Sequence, residues 1–151
     1  MSVTQDGMAL RKLMLGLKVD RATAPMTNGL ELFTVSGGNC MVTLMLGEVT
    51  TAIQATSVDF TIVADPTTGT STDIAAVLIA DGDEAGTLYT VNGVAATALV
   101  PGSSGSVPAA LQSFIVAPGA IEITMVGAHT GSVQWTLFYV PIEDGAYITA
   151  A

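Results

Sequence analysis

The chain has 151 residues, a length that suits one domain with a sizeable core. Only 11% of its residues are charged, against roughly a quarter in an ordinary soluble domain. The net charge is -9, which argues against nucleic acid as a partner because an acidic surface repels phosphates. With so few charges, either the surface is rich in small neutral residues or part of it is buried against other subunits.

All four cationic residues lie in one stretch, LRKLMLGLKVDR, at residues 10–21. Residues 22–151 contain eleven Asp or Glu and no Lys or Arg. As a strand the stretch has one apolar face, and as a helix it has an apolar stripe from Leu10 to Leu17. Gly16 disfavours the helix, so the sequence favours an extended conformation. We therefore divide the chain into a basic, apolar N-terminal arm or first strand (1–21) and an acidic β domain (22–151).

The basic stretch is also the predicted partner-binding site. Its cations and apolar face suit an acidic neighbouring subunit or another protein's acidic surface. An integral strand whose cations pair with acids of the same chain is the open alternative, and a strand exchanged between subunits would satisfy both. The predicted contact residues are Arg11, Lys12, Leu13, Leu15, Leu17, Lys18 and Arg21.

From Leu30 onward, short β-rich runs alternate with turn residues, which predicts an all-β fold. About eight or nine short strands are expected, in an antiparallel sandwich or barrel. The Gly-Gly-Asn at 37–39 and the Asn-Gly at 92–93 predict tight hairpins. The strand carrying Ile121 is expected to pair with the strand carrying Trp135 across the loop at 127–131.

Alternation along the predicted strands indicates the core. It places Val58, Phe60 and Ile62 on one buried face and Trp135 on another. The apolar run at 74–80 is too short to span a membrane and suits a buried strand or a short helix within 72–80. The Gly-, Ser- and Pro-rich segment at 101–112 predicts an exposed loop.

Few residues indicate chemistry. His129, the single histidine, is expected in a turn, and Cys40, the single cysteine, as a buried apolar residue. Neither suffices for a zinc site, and no motif marks a nucleophilic serine. Asp81, Asp83 and Glu84 could hold a hard cation, but they fit a solvated turn better. The sequence thus predicts no catalysis, no metal and no cofactor.

Two segments carry a resemblance, NGLELFTVSGGNCMVTLMLGEVTTAI (28–53) and GSVQWTLFYVPIEDGAYITAA (131–151). Their Thr-, Ala- and Gly-rich strands with few charges resemble small virion proteins of tailed bacteriophages, above all capsid decoration, or cement, proteins. This resemblance implies a β-rich, non-enzymatic protein that oligomerises, often as a trimer, and binds at junctions between capsid subunits. No motif transfers individual functional residues.

We therefore expect a structural protein of the phage particle that stabilises the capsid by binding across its subunits. Its expected partners are the major capsid protein or another virion protein, and copies of itself, with a trimer favoured. No nucleic acid or membrane partner is expected. Lacking a good signal peptide, the chain is expected to be made in the host bacterial cytoplasm and located in the virion. The alternatives are a tail or head-tail connector component, and a carbohydrate- or receptor-binding β module.

Overall fold

A computed structural model describes residues 6–103, 105–109 and 112–151. Parts of the predicted arm (1–5) and of the predicted loop (104, 110 and 111) lie outside the described residues. The described residues form one helix and twelve strands: α1 Gly7–Leu15, β1 Leu17–Thr27, β2 Leu30–Ser36, β3 Cys40–Thr51, β4 Asp59–Pro66, β5 Thr72–Asp73, β6 Leu78–Ile79, β7 Leu88–Thr90, β8 Val100–Gly102, β9 Phe114–Val116, β10 Gly119–Met125, β11 Ala128–Pro141 and β12 Tyr147–Ala150.

The strands form two antiparallel sheets packed face to face. The first sheet has the order β1-β11-β3-β7-β8, with β9 also paired to β3. The second sheet has the order β12-β2-β10-β4-β5, with β6 also paired to β4. Both sheets end in edge strands, so the fold is an all-β sandwich and not a closed barrel.

The core lies between the sheets and follows the predicted alternation. Val58, Phe60 and Ile62 are fully buried in and beside β4, and Trp135 is fully buried in β11. Cys40 is fully buried at the start of β3. These core predictions are confirmed, because the period of two along a strand fixes which side chains face inward.

The predicted pairing of sequential strands is wrong in two places. β2 and β3, joined by the glycine turn at 37–39, lie in different sheets, and so do β10 and β11. β3 pairs with β11, and β10 pairs with β2 and β4. The turns therefore cross from sheet to sheet, and the apolar faces of sequential strands meet across the core.

The middle of the chain is less regular than the sequence predicts. β7 and β8 do pair, but Thr90 lies opposite Val100, so residues 91–99 form a long connection and not a two-residue hairpin. Of the two structures considered for the apolar run at 74–80, the short helix within 72–80 is absent, because this segment forms β5 and β6 along the edge of β4. Among the described residues, no helix has the length and apolar character needed to cross a membrane.

The N-terminal segment is a helix followed by a strand. The extended conformation predicted for residues 10–16 is wrong, since Gly7–Leu15 is helical and Asp6 caps it by accepting from the Met8 N–H. Gly16, at φ +88°, ends the helix, and its N–H donates to the Lys12 carbonyl. β1 then pairs with β11 along its length, so residues 17–21 belong to the first sheet and the boundary drawn at residue 21 falls inside β1.

Candidate interaction surface

One end of the sandwich brings together α1, the start of β3, β9 and the turn between β11 and β12. We call it the α1 end. The register places Leu17 opposite Tyr139, Pro141 opposite Cys40 and Cys40 opposite Val116. The start of β12 also lies here, because Tyr147 pairs with Ser36 at the end of β2.

Helix α1 turns its apolar stripe away from the sandwich. Leu10, Leu13 and Met14 lie on one helical face, and their exposed fractions are 45%, 84% and 72%. The half-buried residues of α1 are Arg11 and Leu15, on the other side. An ordinary surface helix does the opposite and packs its apolar stripe on the core. No residue of α1 is buried, so the sandwich leaves this stripe uncovered.

An apolar groove runs beside this stripe, between α1 and the end of β11. Its volume is about 510 Å³. It is lined by Lys12, Leu13, Gly16, Leu17, Tyr139, Val140 and Pro141. Beyond Pro141 the apolar surface extends to Ile142, which is 52% exposed.

Exposed hydrophobic residues concentrate at this end. Among the described residues eleven large hydrophobic side chains are exposed, and eight of them belong to elements of the α1 end. These are Met8, Leu10, Leu13, Met14, Ile115, Val140, Ile142 and Tyr147. Val77, Ile79 and Val126 lie elsewhere. Such a concentration is typical of a protein-binding surface, whereas hydrophobic residues scattered singly need no explanation.

Charges of both signs surround the apolar surface. Arg11, Lys12 and Lys18 lie on α1 and at the start of β1, and Glu143 and Asp144 lie in the turn between β11 and β12. The Lys18 ammonium is 2.8 Å from the Asp20 carboxylate. The hydrogen bond from Lys18 is the main cause of a lowered pKa for Asp20, and burial opposes it.

Several contacts fix the geometry of the α1 end. The Thr43 hydroxyl lies 2.5 Å from the Leu15 carbonyl oxygen and 3.2 Å from that of Phe138. A side chain at Gly16 would collide with the Tyr139 carbonyl oxygen, so only glycine fits between α1 and β11. The Asn39 amide donates to Glu143 Oε1 at 2.8 Å and fixes the turn after β11.

Six of the seven predicted contact residues lie at this end. They are Arg11, Lys12, Leu13, Leu15, Leu17 and Lys18. Arg21 lies farther along β1, where its guanidinium donates to the carbonyl oxygens of Ala22 and Glu31 at 3.3 and 3.5 Å. It therefore stabilises its own chain. Met14, Val140 and Ile142 were not predicted as contact residues, and for Met14 the signal was present in the helical stripe.

The other candidate residues have structural roles. Asp81 Oδ1 accepts from the Val58 N–H at 2.7 Å, and Asp83 Oδ2 accepts from the Tyr89 hydroxyl at 2.6 Å. Within the described ranges, no group of three His, Cys, Asp or Glu could hold a metal ion. The turn predicted for His129 is wrong, because this residue lies in β11 opposite Met26. Burial is the main cause of a raised pKa for the Cys40 thiol.

No protein-family model, no curated protein and no solved structure matches this chain. The apolar side chains of the α1 end are in contact with water, and covering them would remove apolar area from water.

Proposed function

We propose that this chain is a non-enzymatic structural protein of a bacteriophage particle, which decorates the capsid and stabilises it by binding across its subunits. The observation that carries the proposal is the outward-facing apolar stripe of α1, since exposed apolar surface of this kind marks an interaction site. The resemblance of residues 28–53 and 131–151 to capsid decoration proteins is the reason for proposing a phage capsid as the partner.

The mechanism is association. A protein that binds the assembled shell but not its separate subunits stabilises the shell by mass action. Covering Leu10, Leu13 and Met14 removes apolar area from water, which is worth about 1.5–3 kcal/mol for each fully buried side chain before the losses of freedom on binding.

The carbohydrate-binding alternative requires aromatic side chains that are open to a sugar. Trp135 is fully buried, and so is Tyr89. Among the described residues, Tyr147 is the one exposed Phe, Tyr or Trp side chain, with an exposed fraction of 50%. A single aromatic residue gives little area for a sugar ring to stack on, so no observation favours this alternative.

Cosedimentation tests the proposal. Capsids of the phage that carries this chain, prepared without it, are mixed with the wild-type chain or with either of two variants. Leu13→Glu places a charge on the α1 stripe, and Val126→Glu places the same charge on an 87% exposed residue at the other end of the sandwich. We expect the wild type and Val126→Glu to cosediment with capsids and raise their melting temperature, and Leu13→Glu to bind less.

Two results would oppose the proposal. If the wild-type chain does not bind capsids at any ratio, the decoration role is wrong. If it binds isolated tails but not capsids, the chain belongs to the tail.

A further inference from the structure

We infer that the α1 end binds the α1 end of further copies of this chain, so that the basic helix of one copy lies against the acidic β11–β12 turn of the next in a closed homo-oligomer. The inference rests on the proposed function and assigns the α1 stripe to contacts between copies of this chain. Leu13→Glu then binds capsids less because a single copy binds them at fewer points than an oligomer does. The inference itself concerns the chain alone in solution and needs no capsid.

The first argument is the state of α1 in a single copy. A helix of nine residues is marginally stable by itself, and helices of this size depend on packing of an apolar face. The sandwich contacts the side of α1 that carries Arg11 and Leu15, and the stripe of Leu10, Leu13 and Met14 points outward. A second surface is needed to cover that stripe.

The second argument is that the same end also offers an apolar groove. Leu17, Val140 and Pro141 line it beside α1. When two such ends meet, the stripe of one copy can enter the groove of the other. Both copies then bury the apolar side chains that each leaves in water when alone.

The third argument is charge. The α1 end carries Arg11 and Lys12 on the helix and Glu143 and Asp144 in the nearby turn. A purely acidic partner would match the helix and repel the turn, and a purely basic partner would do the reverse. A surface with both signs is complementary to itself, which is the requirement for a homo-oligomeric contact.

The rest of the molecule opposes other arrangements of two copies. Residues 22–151 contain no Lys or Arg, so contacts between the β sandwiches of two copies bring carboxylates together. The outer face of the second sheet is an example, because Glu31, Glu122 and Asp73 lie in one row across it, with Val63 between the last two. Repulsion between these faces and attraction at the α1 end would steer two copies into contact through their α1 ends.

The test is the mass of the purified full-length chain by light scattering after gel filtration. We expect a mass of at least twice 15.3 kDa, and the multiple gives the number of copies. Leu13→Glu should weaken association roughly tenfold to a hundredfold. Leu13 is 84% exposed, so this variant should stay folded, which its circular dichroism will show. Val126→Glu, the matched control, should assemble like the wild type.

A charge exchange tests the pairing of the helix with the turn. Lys12→Glu should weaken association, and adding Asp144→Lys should restore part of it. A wild-type chain that is monomeric at all accessible concentrations would overturn the inference, as would equal dissociation by Leu13→Glu and Val126→Glu. A monomer that still binds capsids would refute this inference alone, and an oligomer that does not bind capsids would refute the proposed function alone.

Discussion

Trp135 shows how one small residue positions the largest one in the core. It lies directly opposite Gly47 in the pairing of β11 with β3. A Cβ atom at Gly47 would lie 2.8 Å from the indole ring, so glycine leaves the space that the ring occupies. Tyr89 stacks on the indole at 6.4 Å between ring centroids, and Phe60 contacts Tyr89 edge-on at 5.7 Å.

We therefore expect Trp135→Ala to lower the free energy of unfolding by about 3–5 kcal/mol, because it leaves a cavity in the middle of the core. Urea denaturation measures this loss. Trp135→Phe should cost less, since it keeps an aromatic ring and removes an indole N–H that has no hydrogen-bond partner among the described residues. Fluorescence of the wild type should be blue-shifted and resistant to iodide. A red-shifted, readily quenched indole would contradict the buried position.

Glu122 occupies an unfavourable position on the outer face of the second sheet. It lies opposite Glu31 on β2 and opposite Val63 on β4. Burial is the first cause of its raised pKa, and the charges of Asp65 and Glu31 add to it. The folded state therefore binds this proton more tightly than the unfolded state does. As pH rises from the unfolded pKa of Glu122 through the folded one, this residue makes the fold less stable.

Glu122→Gln should accordingly stabilise the fold at neutral pH. The gain should be about 0.2–1 kcal/mol, the size of a cross-strand charge effect. It should vanish below about pH 4.3, the ordinary pKa of Glu, where the carboxyl is protonated in both states. Urea denaturation at several pH values gives both the gain in the free energy of unfolding at neutral pH and the pH below which this gain vanishes. Glu48→Gln is the control, because Glu48 lies opposite the uncharged residues Gln134 and Leu88. A gain that is equal in the two variants would contradict this explanation.

Among the elements, the sequence predicts strand faces well and strand partners poorly. The period of two determines which side chains are inside, and the same alternation suits two strands of one hairpin or two strands facing across a core. β10 and β11 illustrate the ambiguity, since both have the predicted buried faces and yet belong to different sheets. Partner choice depends on contacts between distant segments, such as β3 with β11, which no local pattern records.

The N-terminal segment shows a similar limit. From the sequence, Gly16 is expected to weaken a helix, and in the structure it ends one. The charges and apolar residues of α1 were evident in the sequence, because all cations of the chain lie within residues 10–21. The sequence does not predict that Val140 and Ile142 are exposed beside α1, because apolar residues at the end of a core strand show the same pattern whether they are buried or exposed.

Two truncations separate α1 from β1. Removing residues 1–15 leaves every strand in place, so we expect a folded sandwich that has lost self-association. Removing residues 1–21 also takes the first part of β1, which pairs with Trp135 to Tyr139 of β11, and should lower the melting temperature strongly. Thermal unfolding and light scattering of both variants measure these outcomes. If the two variants melt at the same temperature, residues 17–21 are not an integral part of the sheet.

For the whole molecule, association must work against the net charge. Each copy carries -9, so two copies repel one another at long range. Exposed ion pairs contribute about 0–1 kcal/mol each, whereas burial of a leucine side chain contributes about 1.5–3 kcal/mol. The apolar stripe should therefore provide most of the affinity, and Arg11 and Lys12 should determine orientation and reduce repulsion.

Salt separates these two contributions. Arg11→Gln with Lys12→Gln changes the net charge from -9 to -11, and Leu13→Ala leaves it unchanged. We expect the double variant to associate more weakly than the wild type at low salt, and the difference to shrink as the Debye length falls from about 30 Å at 0.01 M to about 3 Å at 1 M. The deficit of Leu13→Ala should persist at high salt, because apolar burial is not screened. Sedimentation equilibrium across this range gives the dissociation constants. If the loss in Leu13→Ala disappears with salt while that of the double variant remains, the cations provide the affinity and the contribution assigned to the apolar stripe is wrong.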